Sequence, residues 1–387
     1  MKIAIFTDTY KPQMNGVVAY LSNCIESLSK DHQVVLFAPG DKEFKIEKKD
    51  NLKTYWIPSS PFPFYEGYKI ASMDYKRVSE ILKKEKPEVI HAHAPVILGV
   101  QAMIAAKRQN IPTVVTHHTH FPDYVPYLLD GKLPKALDKF SKKSVEKLIK
   151  HVYKNADVVT APTQELVDEL STYGLDNVTL LPNGVKLKNF VKNQKAVDAL
   201  RKKLKIGEDK KVVVYLGRVS FEKKLDVLLK AFRKIETKDR MLLIAGSGPY
   251  LEETKKLAED LGIRNIRFSG FLEESEIAAA YACGDIFASA SDTETFGLTF
   301  VEAMNMELPV VGVAMFGAKE LIEPGKNGLL VEPGDCSKFA LAMERLLEDE
   351  QLREKLGKTG RKMAKKYSLQ NSIKRTLEIY KKVTEST

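Results

Sequence analysis

Short apolar runs alternate with longer amphipathic stretches along this chain, stop at a lysine-rich patch, and then begin again. In the first half, residues 2–6, 34–38, 88–92, 113–116, 157–161 and 178–181 are short and rich in Val, Ile and Leu, with helical patterns such as 17–29 and 96–109 between several of them. Uniformly apolar runs suit strands buried on both faces, and their alternation with helices builds βαβ units around a parallel sheet. The rhythm resumes after residues 186–211 with apolar runs at 212–216, 241–245, 266–269, 286–290, 309–313 and 328–331, and helical patterns at 225–235, 251–261 and 339–347. The spacing therefore predicts an α/β protein of two Rossmann-like, doubly wound domains, residues 1–185 and 186–368, facing across a cleft. The last helical stretch, 369–383, has no strand after it, so periodicity leaves its place open.

A chain of 387 residues exceeds one ordinary core, which agrees with two domains. No run reaches the length of a membrane span, and Met1-Lys2-Ile3 enters a strand without a secretory leader. Cys24, Cys283 and Cys336 are too scattered for a disulfide framework or a zinc site, so a reducing cytoplasm is expected. The net charge of +10 fits a solvated lysine surface, an anionic membrane face or phosphorylated substrates. No basic stripe is interleaved with stacking aromatics, so no nucleic-acid partner is expected.

In doubly wound sheets ligands bind where strands end and helices begin. After the run 286–290 comes a loop, 291–295, and then Phe296-Gly297-Leu298 opens a helical stretch to Met304, with Glu294 and Glu302 either side of the turn. Two carboxylates beside free helix amides suit sugar hydroxyls and phosphate, and equally suit a plain solvated helix start. Gly217-Arg218-Val219-Ser220-Phe221-Glu222-Lys223 follows another strand-like run. An arginine fork and a lysine point charge there can neutralise a diphosphate without metal, or be two solvated cations. Asn15-Gly16 after the first run reads as a phosphate-approaching turn or a plain βα loop. Gly246-Ser247-Gly248-Pro249 lacks the third glycine of a dinucleotide fingerprint, because Leu251 stands there; a backbone wall beside a ligand is the better reading. His117, His118 and His120 cluster, yet neighbours in an extended chain face opposite ways, so one histidine in a hydrogen-bonding role is expected rather than a metal site. No D-x-D pair occurs, which argues against a diphosphate held through a divalent cation.

Taken in order, Asn15-Gly16, Leu181-Pro182-Asn183-Gly184-Val185, Gly217-Arg218 with Glu222-Lys223, Gly246 to Pro249, Gly270-Phe271, and Glu294 to Glu302 in the spacing E-x7-E resemble family 4 of the retaining glycosyltransferases, which have the GT-B fold. The resemblance spans essentially the whole chain. It implies that Arg218 and Lys223 bind a nucleotide diphosphate, Glu302 takes ribose hydroxyls, Glu294 holds donor-sugar hydroxyls, and His118 contacts the donor sugar. Gly16, Gly248, Phe271, Phe296, Gly297 and Leu298 would also meet the donor, a UDP- or GDP-hexose that serves as substrate, with no cofactor and no metal. It implies transfer with retention, and a C-terminal helix, 369–387, that crosses back onto the first domain. The chain departs from the family at Asn15, where a glycine is usual, and at Lys224, where a small residue is common.

The segment 118–124 is similar to the histidine-threonine segment of diacylglycerol glucosyltransferases, which implies a membrane glycerolipid as acceptor. Residues 133–156 carry Lys135, Lys139, Lys142, Lys143, Lys147, Lys150 and Lys154, with Leu133, Leu137, Phe140, Leu148 and Val152 at helical spacing. Such a helix lies on an anionic membrane, or packs its apolar stripe on its own domain. The first reading places the protein peripherally on the inner face of the cell membrane. The aromatic, proline-rich stretch 58–68 reads as an acceptor-side loop or as buried turns. A soluble sugar, sugar phosphate or polysaccharide acceptor, a non-catalytic nucleotide-sugar sensor, and an epimerase are the competing expectations.

Overall fold

The computed structural model describes residues 1–13, 15–62, 69–118 and 135–385, the side chains of 135–142 excepted. Within segment 118–124 only His118 is described, and residues 63–68 of the aromatic stretch lie outside the described residues. The chain divides into two compact units, Met1–Asn183 with Leu369–Thr387, and Gly184–Ser368. The switch thus falls two residues before the expected boundary at 185.

The second unit is a six-stranded parallel sheet. Its strands, continuing the numbering of the first unit given below, are β11 (Lys211–Leu216), β12 (Arg240–Ala245), β13 (Ile266–Gly270), β14 (Ile286–Ala288), β15 (Val310–Val313) and β16 (Gly328–Val331). They lie in the order β13-β12-β11-β14-β15-β16. The chain winds outward from β11, then returns and winds the other way from β14, so the topological switch point lies between these two strands. Val213 pairs with Ile286 there. Both sheet faces are covered. Phe232, Leu228, Met343 and Leu346 bury one side, and Phe287, Phe300, Met304 and Leu321 belong to the core on the other. Because each strand is enclosed, its sequence is an unbroken apolar run, which is why the strands stand out in the sequence.

The first unit has an eight-stranded sheet among the described residues, in the order β10-β9-β8-β7-β1-β2-β4-β3. Its strands are β1 (Lys2–Thr7), β2 (Gln33–Pro39), β3 (Lys45–Lys49), β4 (Leu52–Ile57), β7 (Val89–His93), β8 (Thr113–Thr116), β9 (Val158–Ala161) and β10 (Val178–Leu180), while β5 (Ser59–Pro61) and β6 (Lys69–Ala71) form a separate small pair. Here the switch point lies between β1 and β7, paired through Thr7 and His93. Strand β3 is antiparallel to β4 and wholly exposed, and its sequence Lys-Ile-Glu-Lys-Lys shows how a charged edge discourages pairing with another chain. At the N-terminal end of the sheet, Glu85 accepts from Lys2 at 2.7 Å, Lys53 at 2.5 Å and Tyr55 at 2.6 Å. Burial works against that carboxylate, but the two lysines and the phenol hold it down to about 2. The terminal helix Leu369–Glu385 buries Tyr380 and Val383 in this unit's core with Ile3, Ile5 and Val89, which settles where the last amphipathic stretch goes.

Candidate active site

At the C-terminal edge of the second sheet, the loop after β11 begins at Gly217 and runs through Arg218 to a single 3₁₀ turn, Phe221–Lys223. The Tyr215 hydroxyl donates to the Arg218 carbonyl at 2.8 Å and so fixes the turn from inside. Across the switch point, Ser291 and Thr293 hydroxyls donate to the Glu222 carbonyl at 3.2 and 3.4 Å, joining the β11 and β14 loops. The result is a direct ion pair, Lys223 Nζ to Glu294 Oε2 at 2.6 Å. Burial works against the Lys223 ammonium, but Glu294 and Tyr215 more than offset it and raise its pKa, so Lys223 is a fixed cation at every working pH. Glu294 is anchored in turn through its carbonyl, which accepts from the Gly317 amide at 2.8 Å.

Gly297 initiates the helix Leu298–Asn305 with φ of +89°, a conformation other residues adopt only with strain, and no side chain caps the helix start. One turn on, Glu302 accepts from the Tyr281 hydroxyl at 2.7 Å. Burial pushes the Glu302 carboxyl up to about 7, with the Tyr281 hydrogen bond pulling the other way. The loops and helix start at the switch point thus carry Arg218, Lys223, Glu294 and Glu302, with Lys223 and Glu294 in direct contact. A set of this kind offers cations and amides to a diphosphate and carboxylate oxygens to hydroxyls.

The other expected donor residues divide by what their side chains do. Phe271 projects into solvent after β13, 55% exposed, whereas Phe296 is buried in the core against Tyr367 at 5.7 Å between centroids. Phe296 can thus meet a ligand through its backbone alone. Gly248 has a reason to be glycine that involves no ligand: a Cβ there would lie 2.3 Å from the Val219 carbonyl oxygen. That close approach lets the β12 loop pair with the β11 loop, where Val219 donates to Ser247 at 3.0 Å.

In the first unit, Gly16 starts the helix Gly16–Leu28, and the Asn15 side chain caps it by accepting from the Val18 amide at 2.9 Å. Asp8, just past β1, receives the amides of Val96, Ile97, Leu98 and Gly99 at 2.8 to 3.3 Å. The N-terminus of the helix Leu98–Gln109 is thereby filled by a protein carboxylate. Burial raises the Asp8 pKa and the four amides counter it. His118 is buried just past β8, with Nε2 2.8 Å from His93 Nδ1, while the His117 ring goes elsewhere, its Nδ1 3.0 Å from the Tyr153 hydroxyl. His120 lies outside the described residues. Asp8, His91, His93, Tyr281 and Gly317 were not foreseen. For the histidines a signal existed, since His91-Ala92-His93 in a strand places both imidazoles on one face.

Of the basic helix, Lys135–Tyr153 is helical. Its described half buries Ile149 and Tyr153 and turns Leu148, 62% exposed, outward with Lys143, Lys147 and Lys150. Among the described residues no helix is long and apolar enough to cross a membrane.

Residues 14–189 match the family model described as Glycosyltransferase Family 4, and residues 196–363 the one described as Glycosyl transferases group 1. The alpha-monoglucosyldiacylglycerol synthase of Streptococcus pneumoniae is 32% identical over 80% of this chain and 70% of its own length. A GDP-mannose-dependent alpha-mannosyltransferase of Corynebacterium glutamicum is 28% identical over 90% of this chain and 81% of its own. Among solved structures, that of HepE from Anabaena in complex with UDP superposes with a TM-score of 0.79 over 99% of this chain and all of its own, at 19% identity, which speaks to the fold.

Proposed function

This chain belongs to glycosyltransferase family 4 and has the GT-B architecture of two Rossmann-like domains, and we propose that it moves a hexose from a UDP- or GDP-sugar to a hydroxyl of a membrane glycerolipid such as diacylglycerol, with retention and without a metal ion. The observation that carries the reading is the Lys223–Glu294 pair at the switch point, with Glu302 one turn into the helix that follows. In this reading Arg218, Lys223 and the amides at Leu298 take up the charge that develops on the leaving diphosphate, so no divalent cation is needed. Glu294 accepts from donor-sugar hydroxyls and Glu302 from the ribose. By its resemblance to the family histidine, His118 contacts the donor sugar. As the bond between anomeric carbon and phosphate oxygen breaks, the acceptor oxygen bonds to that carbon on the same face. Its proton passes to the departing phosphate oxygen. No covalent link to the protein forms.

The lipid acceptor is supported by the pneumococcal relative, whose name places glucose on diacylglycerol, and by the outward lysines around Leu148. Lysines at such a surface are drawn to anionic headgroups, while an exposed leucine enters the interface. The test is transfer by purified protein from UDP-glucose and GDP-mannose, in EDTA, to diacylglycerol in vesicles containing anionic lipid. A lipid α-hexoside from an α-linked donor is expected, and Glu294→Ala and Lys223→Ala should each abolish it. Full transfer by both variants would overturn the site, and transfer confined to soluble acceptors would overturn the lipid assignment.

A further inference from the structure

Behind His118 lies a buried hydrogen-bond network that plays no part in gripping a diphosphate. It can be followed proton by proton, because a hydroxyl has one hydrogen to give. The Thr160 hydroxyl donates to the Val115 carbonyl at 3.3 Å, so the 2.7 Å bond between Thr116 and Thr160 uses the Thr116 hydrogen. Thr116 Oγ1, 2.6 Å from His91 Nε2, must then accept from that ring. A neutral His91 so protonated has a bare Nδ1, which accepts from the Tyr380 hydroxyl at 2.6 Å. Burial, with His118 nearby, holds the His91 pKa down to about 3, consistent with a neutral ring. One tautomer of His91 is thus set by its surroundings.

The His91 ring lies over His93, with centroids 3.9 Å apart, and fixes that ring by its face. His93 in turn meets His118 edge to edge. Their planes differ by 13°, the centroids are 5.1 Å apart and Nδ1 to Nε2 is 2.8 Å, the geometry of two coplanar rings joined by one linear hydrogen bond. Tyr20 also packs against His118, edge-on at 5.7 Å between centroids. Its hydroxyl is 2.9 Å from Ser372 Oγ, which donates to the Pro182 carbonyl at 3.0 Å, so Tyr20 is the donor to Ser372. Ser372 and Tyr380 both belong to the returning helix Leu369–Glu385.

We propose that His93 is a positioning residue for sugar transfer: its in-plane hydrogen bond to Nε2 fixes the orientation of His118 and ties its tautomer to that of His93, so that the ring's contact with the donor sugar runs through Nδ1. The inference rests on the reading that His118 meets the donor. Burial, with neighbouring imidazoles, lowers the pKa of both rings, so each carries one proton. The shared bond then links their tautomers. A proton on His93 Nδ1 puts the His118 proton on Nδ1, where it donates to a sugar oxygen. A proton on His118 Nε2 leaves Nδ1 a lone pair, which accepts from a sugar hydroxyl. Without His93, the ring is free to flip or to exchange tautomers, and each donor molecule meets a mixture.

The test uses the full-length protein with whichever of UDP-glucose and GDP-mannose it turns over. His118→Ala, His93→Phe and His93→Asn are compared for kcat, donor KM and the Kd of the free nucleoside diphosphate. With seven histidines, long-range proton–nitrogen spectra of the 15N-histidine-labelled protein report the His118 tautomer in each His93 variant. His93→Phe should lower kcat about 10²-fold, as a small misplacement near reacting atoms does, with the Kd unchanged. The same variant should shift the His118 nitrogen signals. His93→Asn, whose amide reaches the Nδ1 position, should restore most of the kcat. If His118→Ala is inactive while His93→Phe keeps the wild-type kcat and His118 signals, the proposal is overturned. Loss of nucleotide binding together with kcat in His93→Phe, and no rescue by asparagine, would overturn it too. Full activity of His118→Ala instead sinks the donor-facing reading of His118 itself.

Discussion

At the switch point of the second sheet the titratable side chains stand beside an open helix start: Lys223 pairs with Glu294, and Glu302 sits one turn into a helix that no side chain caps. At the switch point of the first sheet the titratable groups are buried. Asp8 fills a helix N-terminus, and His91, His93 and His118 are rings kept neutral by burial. The two sheets share a winding rule, yet one edge carries an ion pair beside an uncapped helix start, and the other a filled helix start and a set of packed imidazole rings. Charge placed at a helix start can serve a ligand or the fold, and only the partner at that start tells which.

Removing each kind of carboxylate should break the comparison in different places. Asp8→Asn should leave the nucleotide Kd unchanged but lower folding stability by about 2 kcal/mol, since two amides would face an NH2 group instead of a carboxylate oxygen; chemical denaturation measures this. An unchanged stability would mean that the Asp8 bonds matter little. Glu302 should do the reverse. Its folded pKa, about 7, lies above the usual 4.5, so the carboxylate proposed to accept ribose hydroxyls is formed only as pH rises through 7. Donor affinity should therefore weaken about tenfold per pH unit below 7 and level off above it, a factor set by the proton taken up. Nucleotide sugars, whose diphosphate does not titrate there, are the ligands to use. In the empty protein the same shift makes this group favour the folded state most below the ordinary carboxylate range, and that contribution is lost as pH rises through 7. Glu302→Gln should flatten the binding profile. A profile that stays steep in Glu302→Gln would assign the titration to another group.

How much of this was legible in the sequence follows the same divide. Strands enclosed on both faces announce themselves as apolar runs, and the second unit's candidate site lies in two short segments, 217–223 and 294–302, each of which alone fits a solvated turn and gains meaning only in the ordered set of motifs. Strand β3 is lysine-rich and exposed, so it has no apolar signature. The helix Glu350–Ala364 carries Gly357 and Gly360 and few apolar residues, and was missed for the same reason. The first unit's network joins residues 20, 91, 93, 118, 372 and 380, which only folding brings together. His118 was found through resemblance, and its neighbours were not found at all. The alternating pair His91 and His93 was the one local clue.

Whether the second sheet's edge holds a nucleoside diphosphate by its own charges is read by calorimetric titration of UDP and GDP in EDTA, with the native chain and Lys223→Ala. One nucleotide should bind in EDTA and bind about 10²-fold or more weakly to the variant, the size expected for loss of a partly buried charge-assisted contact. Binding that requires a divalent cation, or that survives Lys223→Ala undiminished, would contradict that mode of binding.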